Sequence, residues 1–235
     1  MNSRSMPGRV ALGVVGVCVI AVVLLLASVP LLLIGVRVLR LLGSGAALLV
    51  FAIRGFSIAR GLRNEEEWAR LTAIGYLALF GFVGLAVGIN AWRDRFPEAV
   101  MVGLVLAAAG AAGAIGLAPK SVAAHFPADI EDARAIAVSR LGVTMGLAGL
   151  FTAAGAIASV QATDKDIAVR IGVTVLGSLL LLVPARGVRR GNTPARIGFS
   201  VGLILTAVGG ALGINDRPDA AVPQAILAIV FALRV

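Results

Sequence analysis

Few residues of this chain can carry polar or redox chemistry. It has one cysteine, Cys18, and one histidine, His125, so within one chain no disulfide and no site that needs two thiolates or two imidazoles can form. Neither a phosphate-binding GxxxxGK[ST] loop nor a zinc-binding HExxH motif occurs. We therefore expect a non-enzymatic protein with no cofactor and no metal.

Charged and aromatic residues are also scarce. Charged residues make up 14% of the chain and aromatic residues 5%, against 59% hydrophobic residues. The mean hydropathy of +0.99 is too high for a water-soluble domain to cover with polar surface. The basic residues do not cluster with aromatic platforms, so we expect no nucleic-acid partner. The composition indicates a protein whose surroundings are the lipid bilayer.

Eight apolar stretches are long enough, or nearly so, to cross a bilayer, which takes about 20 residues. The last is short and carries Pro223 in its first turn, so a partial span is the alternative there. The first is longer than the core of a signal peptide and is followed at once by the second, which indicates a retained anchor. The stretches are 10–29, 33–53, 69–90, 98–118, 141–161, 167–185, 197–215 and 221–235.

Basic residues mark an internal repeat. Arg9, Arg70, Arg140 and Arg196 each open a pair of apolar stretches, at intervals of about 60 residues. This pattern predicts an all-α polytopic integral membrane protein of about eight transmembrane helices, arranged as four parallel helical hairpins. Two hairpins form a membrane half at 1–122 and two form the other half at 133–235, joined by a linker at 123–132. The tip of the first hairpin is expected at Ser28-Val29-Pro30 and its exit at Arg54.

The distribution of charge predicts the orientation. Fourteen of the 21 basic residues lie at the termini or between hairpins, and seven lie at hairpin tips. By the positive-inside rule both termini are expected to be cytoplasmic. The excess of arginine over lysine, 19 to 2, is typical of a GC-rich bacterial genome, so the expected location is a bacterial plasma (inner) membrane. The segment 119–132 then lies on the cytoplasmic surface and is the expected docking point for a cytoplasmic or membrane protein partner. The acidic run at 65–67 is expected to be solvated in front of a helix, with docking as the alternative.

Glycine is abundant, with 29 residues, and recurs at helical spacing. Lipid tails are as apolar as leucine, so close backbone approach at small residues must help to hold helices together. Tight helix packing is the favoured interpretation of these glycines, and a flexible hinge or a glycine-lined solute path is the alternative. The three groups are Gly81, Gly84 and Gly88; Gly110, Gly113 and Gly116; and Gly142, Gly146 and Gly149.

Basic residues, glycines and a proline recur at matching positions of the first two hairpins. These positions are Arg9, Gly13, Gly16, Pro30, Gly43 and Arg54 in the first hairpin, and Arg70, Gly75, Gly88, Pro97, Gly110 and Gly113 in the second. This repeating hairpin resembles the HdeD family of short bacterial membrane proteins. The resemblance implies a non-enzymatic protein of stress or acid resistance, or an accessory of a membrane complex. A small-solute or ion permease using the hairpin axis is the alternative function. Three hairpins are usual in the family, whereas four are counted here.

Two hairpin tips share the residues Gly-Ile-Asn followed by Asp-Arg and a proline. If the hairpins surround an axis, these tips could form an outward-facing polar site that binds a ligand or responds to protons. The alternative is that each asparagine caps a helix in left-handed geometry and the ions beside it are solvated. His125 is a candidate pH-responsive group or simply an interfacial side chain. The candidate outer site comprises Asn90, Arg93, Asp94, Arg95, Asn215, Asp216 and Arg217.

Overall fold

A computed structural model describes residues 8–35, 39–126, 130–157 and 165–211 of the chain. Throughout these ranges the regular structure is helical and no strand occurs, which confirms the all-α class. The helices are α1 (Gly8–Gly35), α2 (Leu39–Arg63), α3 (Glu67–Arg93), α4 (Pro97–Leu117), α5 (Lys120–Ala123), α6 (Ile130–Ile157), α7 (Lys165–Leu182), α8 (Ala185–Arg189) and α9 (Thr193–Ala211).

Six helical segments among the described residues are long and apolar enough to cross a membrane. They correspond to the first six predicted stretches, and they confirm a multi-pass helical membrane protein. Helix α9 covers most of the seventh stretch but is not among the six, and the eighth stretch lies outside the described residues. The number eight stays a prediction. The six segments are Gly8–Gly35, Leu41–Arg63, Glu67–Arg93, Pro97–Leu117, Asp132–Ala154 and Ile171–Arg189.

The first two helices are longer than the apolar pattern indicates. Helix α1 continues through Pro30 to Gly35, so the predicted tip at 28–30 is wrong. A membrane helix tolerates proline because neighbouring groups satisfy the carbonyl it leaves free. Just before the proline, the Ser28 hydroxyl donates to the Leu25 carbonyl oxygen at 2.7 Å. Helix α2 likewise does not end at Arg54 but continues to Arg63.

The chain packs as two compact units. The first contains residues 1–23 and 54–134, and the second contains residues 24–53 and 135–235, so the boundaries fall inside α1 and α2. These units are defined by packing, whereas the predicted membrane halves are defined by the sequence repeat. The halves therefore stay a prediction.

Helices α3 and α4 form a closely packed hairpin in the first unit. A Cβ atom on Gly84 would lie 2.6 Å from the Gly103 carbonyl oxygen. A Cβ atom on Gly110 would lie 2.5 Å from the Leu77 carbonyl oxygen. Only glycine allows the two backbones to come this close, which confirms tight packing as the role of both residues.

The start of α1 lies against the end of α4 in the same unit. A Cβ atom on Gly16 would meet the Ala109 carbonyl oxygen at 2.7 Å, and Gly13 faces the side chain of Leu117. Val17 and Ile20, on the same helix, are completely buried. The first unit is therefore a layer of helices joined at small residues, with aliphatic side chains filling the space between them.

The second unit has its own buried cluster at the junction of α7, α8 and α9. Leu181, Val188, Phe199 and Leu203 form this cluster. Gly142 of α6 faces the ring of Phe199 so closely that a methyl group there would overlap it. The Phe199 ring of this cluster therefore packs directly against Gly142.

Candidate functional site

The described part of the predicted outer site is the corner between α3 and α4. Arg93, Asp94 and Arg95 are brought together in one exposed turn, and Asn90 is half-buried in the last turns of α3. The Asp94 amide donates to the Asn90 carbonyl oxygen at 2.9 Å. The remaining members, Asn215, Asp216 and Arg217, lie outside the described residues, so the paired site stays a prediction.

The alternative that Asn90 caps α3 in left-handed geometry is wrong. The helix runs on to Arg93, and the left-handed residue is Arg95, with φ of 59°. The amides of Arg95 and Phe96 donate to the carbonyls of Trp92 and Ala91, the hydrogen-bond pattern of a Schellman motif. Helix α3 continues past Asn90 for three more residues, to Arg93, and α4 begins only at Pro97, a residue that favours the first position of a helix.

The same corner occurs at two further helix ends. Glu65, after α2, has φ of 58°, and Gly191, after α8, has φ of 70°. In each corner the two amides that follow the helix bond back as they do after α3. An arginine is the last helical residue in all three, which suits the negative end of the helix dipole. These arginines are Arg63, Arg93 and Arg189.

His125 is exposed in the turn that follows α5. Its amide donates to the Val122 carbonyl oxygen at 3.0 Å. Val122 and Phe126 are buried and anchor this turn, while the imidazole remains at the surface. The predicted docking segment is therefore partly helical up to Phe126, and its residues 127–129 lie outside the described part.

A buried ion pair at the start of α3 is the strongest polar feature of the first unit. Arg70 Nε donates to Glu67 Oε2 at 2.8 Å, and Arg70 Nη2 donates to Glu67 Oε1 at 2.6 Å. The third guanidinium nitrogen, Nη1, donates to the Leu117 carbonyl oxygen at 3.2 Å. Glu67 is only 4% exposed and Arg70 only 8%. We call this arrangement the Glu67–Arg70 clamp.

The local sequence explains the clamp. Glu67 is the first residue of α3 and Arg70 lies one turn later, a spacing that places the two side chains on one helix face. The carboxylate suits the positive end of α3. Leu117 ends α4, where carbonyls lack partners inside the helix, and the antiparallel hairpin brings one of them to Arg70.

The expectation that the acidic run at 65–67 is solvated is wrong for Glu67. Glu65 is exposed, whereas Glu66 is half-buried and accepts a hydrogen bond from the indole nitrogen of Trp68. The signal that could have identified the clamp is the Glu-x-x-Arg spacing at the first turn of a span. An arginine within an apolar stretch requires a partner, and Glu67 is the acid within reach.

A related contact closes the second unit. The buried Ser139 hydroxyl donates to the Ala185 carbonyl oxygen at 3.0 Å. Arg189 Nε donates to the same hydroxyl oxygen at 3.0 Å. A polar side chain of α6 thus holds the start of α8, just after the end of α7, much as Arg70 of α3 holds the end of α4.

The sequence contains one motif of catalytic type that has no catalytic geometry in the structure. The residues Gly198-Phe199-Ser200-Val201-Gly202 match the GxSxG pattern of a nucleophile elbow. An elbow needs a sharp turn between a strand and a helix, but these residues lie inside α9. No group of three His, Cys, Asp or Glu side chains that could hold a metal occurs among the described residues.

A shallow groove of about 370 Å³ lies between the start of α1 and the end of α4. Its wall is apolar, apart from Arg9, and it is lined by Arg9, Leu12, Ala112, Ile115, Gly116 and Pro119.

Comparison with known proteins yields no relative for this chain. No protein-family model matches it, and neither a curated protein nor a solved structure matches it. The basis for assigning a function is therefore the chemistry of the packed helices, the clamp and the groove.

Proposed function

We propose that this chain is a non-enzymatic stress-resistance or accessory protein of the bacterial plasma membrane, similar to the HdeD family, that acts as a packed helical scaffold. The observation that carries the proposal is the closed seam between α3 and α4, where Gly84 meets the backbone of Gly103. Such a seam fixes the distance between two helices and leaves their outer faces for lipid or a partner.

The clamp supports the same function. Glu67 and Arg70 are buried and hydrogen-bonded to each other, and the guanidinium also holds the end of α4. The carboxylate and the Leu117 carbonyl are thus both bonded to the guanidinium at one end of the hairpin. Along the rest of its length, glycines bring the backbones of α3 and α4 into contact. A hairpin fixed in both ways is suited to supporting other membrane components.

The wider architecture in this proposal is eight spans in four parallel hairpins with both termini in the cytoplasm. It is supported by the similar closing contacts, from Arg70 to Leu117 in one hairpin and from Ser139 to Ala185 in the next. Topology reporters fused after residues 64, 125 and 192 are expected to read cytoplasm. Reporters after residues 94, 164 and 217 are expected to read the outside, and an inversion between neighbouring positions would remove the four-hairpin arrangement.

The segment 119–132 is the proposed contact for a protein partner. Lys120, Ser121 and His125 are exposed around the buried anchors Val122 and Phe126. Such a turn presents a fixed set of polar groups, and His125 among them is the proposed pH-responsive residue. Cross-linking from residue 121 in cells should capture a partner, and the same cross-linker at exposed Arg134 serves as the control.

The physiological role is tested by survival of a deletion strain after acid challenge at high cell density. Wild type and Gly81→Ala should restore survival, because a methyl group on Gly81 would make only ordinary contacts, at 3.6 Å and beyond. Gly84→Ala should fail at equal membrane abundance, because it opens the seam. If the Asn90→Ala/Asn215→Ala variant also restores survival, the scaffold role does not depend on the predicted outer site. Survival of the deletion strain at the level of its parent would refute the stress role.

Transport is the competing function, and liposomes distinguish it. In the described structure the backbones of α3 and α4 are in contact, which leaves no path for a solute between these two helices. We expect purified protein in liposomes to leave proton and small-ion leakage at the level of empty liposomes. Leakage that rises with the amount of protein and is abolished by Gly110→Ala would favour the permease.

A further inference from the structure

The groove between α1 and α4 has the form of a lipid site. Its two walls are the side chains of Leu12 and Ile115, which are 48% and 72% exposed and so are free to contact a bound chain. Its floor is the place where the helices touch, since a Cβ atom on Gly116 would lie 2.8 Å from the Arg9 carbonyl oxygen. The groove therefore combines an accessible apolar wall with a rigid floor.

One end of the groove is positively charged. Arg9 lines it and is exposed, and among the described residues no acidic side chain forms an ion pair with it. Lys120 follows the lining residue Pro119 and is also exposed. In contrast, the charge of Arg70 in the same unit is neutralised by its ion pair with Glu67. Both free charges lie where spans begin or end, which is the level of the lipid headgroups.

We propose that this groove binds an anionic glycerophospholipid. The phosphate is held by Arg9 and Lys120, and an acyl chain lies along Leu12, Ala112 and Ile115. Charge complementarity selects the anionic headgroup. The apolar wall selects a lipid over free phosphate, because only a lipid gains from covering it. This site is independent of the proposed scaffold role and requires only that the chain lie in a membrane.

The test measures binding of phosphatidylglycerol and phosphatidylcholine with identical acyl chains to the purified full-length protein by native mass spectrometry. Wild type should bind phosphatidylglycerol more tightly. Arg9→Gln should raise the apparent Kd for phosphatidylglycerol about fivefold, the effect of one basic residue near an anionic headgroup. Arg196→Gln removes an exposed arginine outside the groove and should leave that Kd within about twofold.

A second pair of variants tests the apolar wall without changing charge. Ala112→Trp fills the groove, whereas Ala111→Trp adds the same bulk at an exposed neighbour that does not line it. Only the first should weaken phosphatidylglycerol binding. Equal binding of the two lipids, equal effects of groove and control variants, or displacement of phosphatidylglycerol by equimolar inorganic phosphate would each overturn the proposal.

Discussion

Replacing Arg70 by methionine removes the guanidinium that holds Glu67 and the end of α4. Three hydrogen bonds are lost, of which two connect opposite charges at 2.6 and 2.8 Å. Loss of one partner of a buried ion pair costs about 3–5 kcal/mol, since the other charge stays buried without compensation. We expect Arg70→Met to lower the free energy of unfolding by an amount in that range.

The double variant Glu67→Leu/Arg70→Met separates the pair from its surroundings. Apolar residues of similar volume in place of a buried ion pair are often neutral or stabilising by about 1–4 kcal/mol. The Leu117 carbonyl still loses a donor, at a cost of about 1 kcal/mol. The double variant should therefore be more stable than Arg70→Met by roughly 2 kcal/mol or more.

The assay is unfolding in mixed micelles by increasing SDS, followed through tryptophan fluorescence. Trp68 is a suitable reporter, because its indole donates to Glu66 at the corner beside the clamp. The same change at exposed Arg134 is the matched control and should stay within about 0.5 kcal/mol of wild type. If the double variant were as unstable as Arg70→Met alone, the clamp would not act as a buried unit.

Five further substitutions test three other contacts by the same unfolding assay. Gly84→Ala should destabilise by about 1–3 kcal/mol because its methyl group meets fixed backbone, whereas Gly81→Ala should be neutral or slightly stabilising; equal effects would contradict the seam. Arg95→Gly should raise the free energy of unfolding by about 0.5–1 kcal/mol, because it removes a side chain from a residue in the left-handed conformation. Gly191→Ala should lower it by about 1 kcal/mol, because it adds a side chain in that conformation. Changes of the same sign in both variants would contradict the geometry of these corners. Ser139→Ala should cost about 1–3 kcal/mol, because a buried carbonyl loses its donor, and an unchanged midpoint would refute that bond.

The sequence predicts the helices well because their signal is local. Uninterrupted apolar stretches locate α3, α4 and α7 within a few residues, and Pro97 marks the start of α4, whereas α1, α2 and α6 extend further beyond their stretches. The prediction of helix ends fails where a residue that usually ends a helix lies inside one. Pro30 lies inside α1 because a membrane helix is held by apolar surroundings over its whole length, and one lost hydrogen bond does not end it.

The polar sites are harder to predict because they depend on distant residues. The Arg70 guanidinium has one partner three residues away and another at Leu117, so only half of the clamp is visible locally. The groove depends on α1 lying against α4, which no spacing indicates. The left-handed conformation falls on Arg95 although Asn90 tolerates that geometry better, since the length of the helix decides which residue turns.

The tight corner after α3 also constrains how the protein enters its membrane. Only three residues separate Arg93 from Pro97, and even fully extended they reach about 10 Å. Once α3 is in place, α4 must therefore begin beside it and run back along it. Leu117 is then the last part of the two helices to leave the ribosome, and its bond to Arg70 forms only when both crossings are complete. The Glu67–Arg70 pair lies within α3 and does not need α4, so the chain order alone makes the bond to Leu117 the last of the three contacts that complete the clamp.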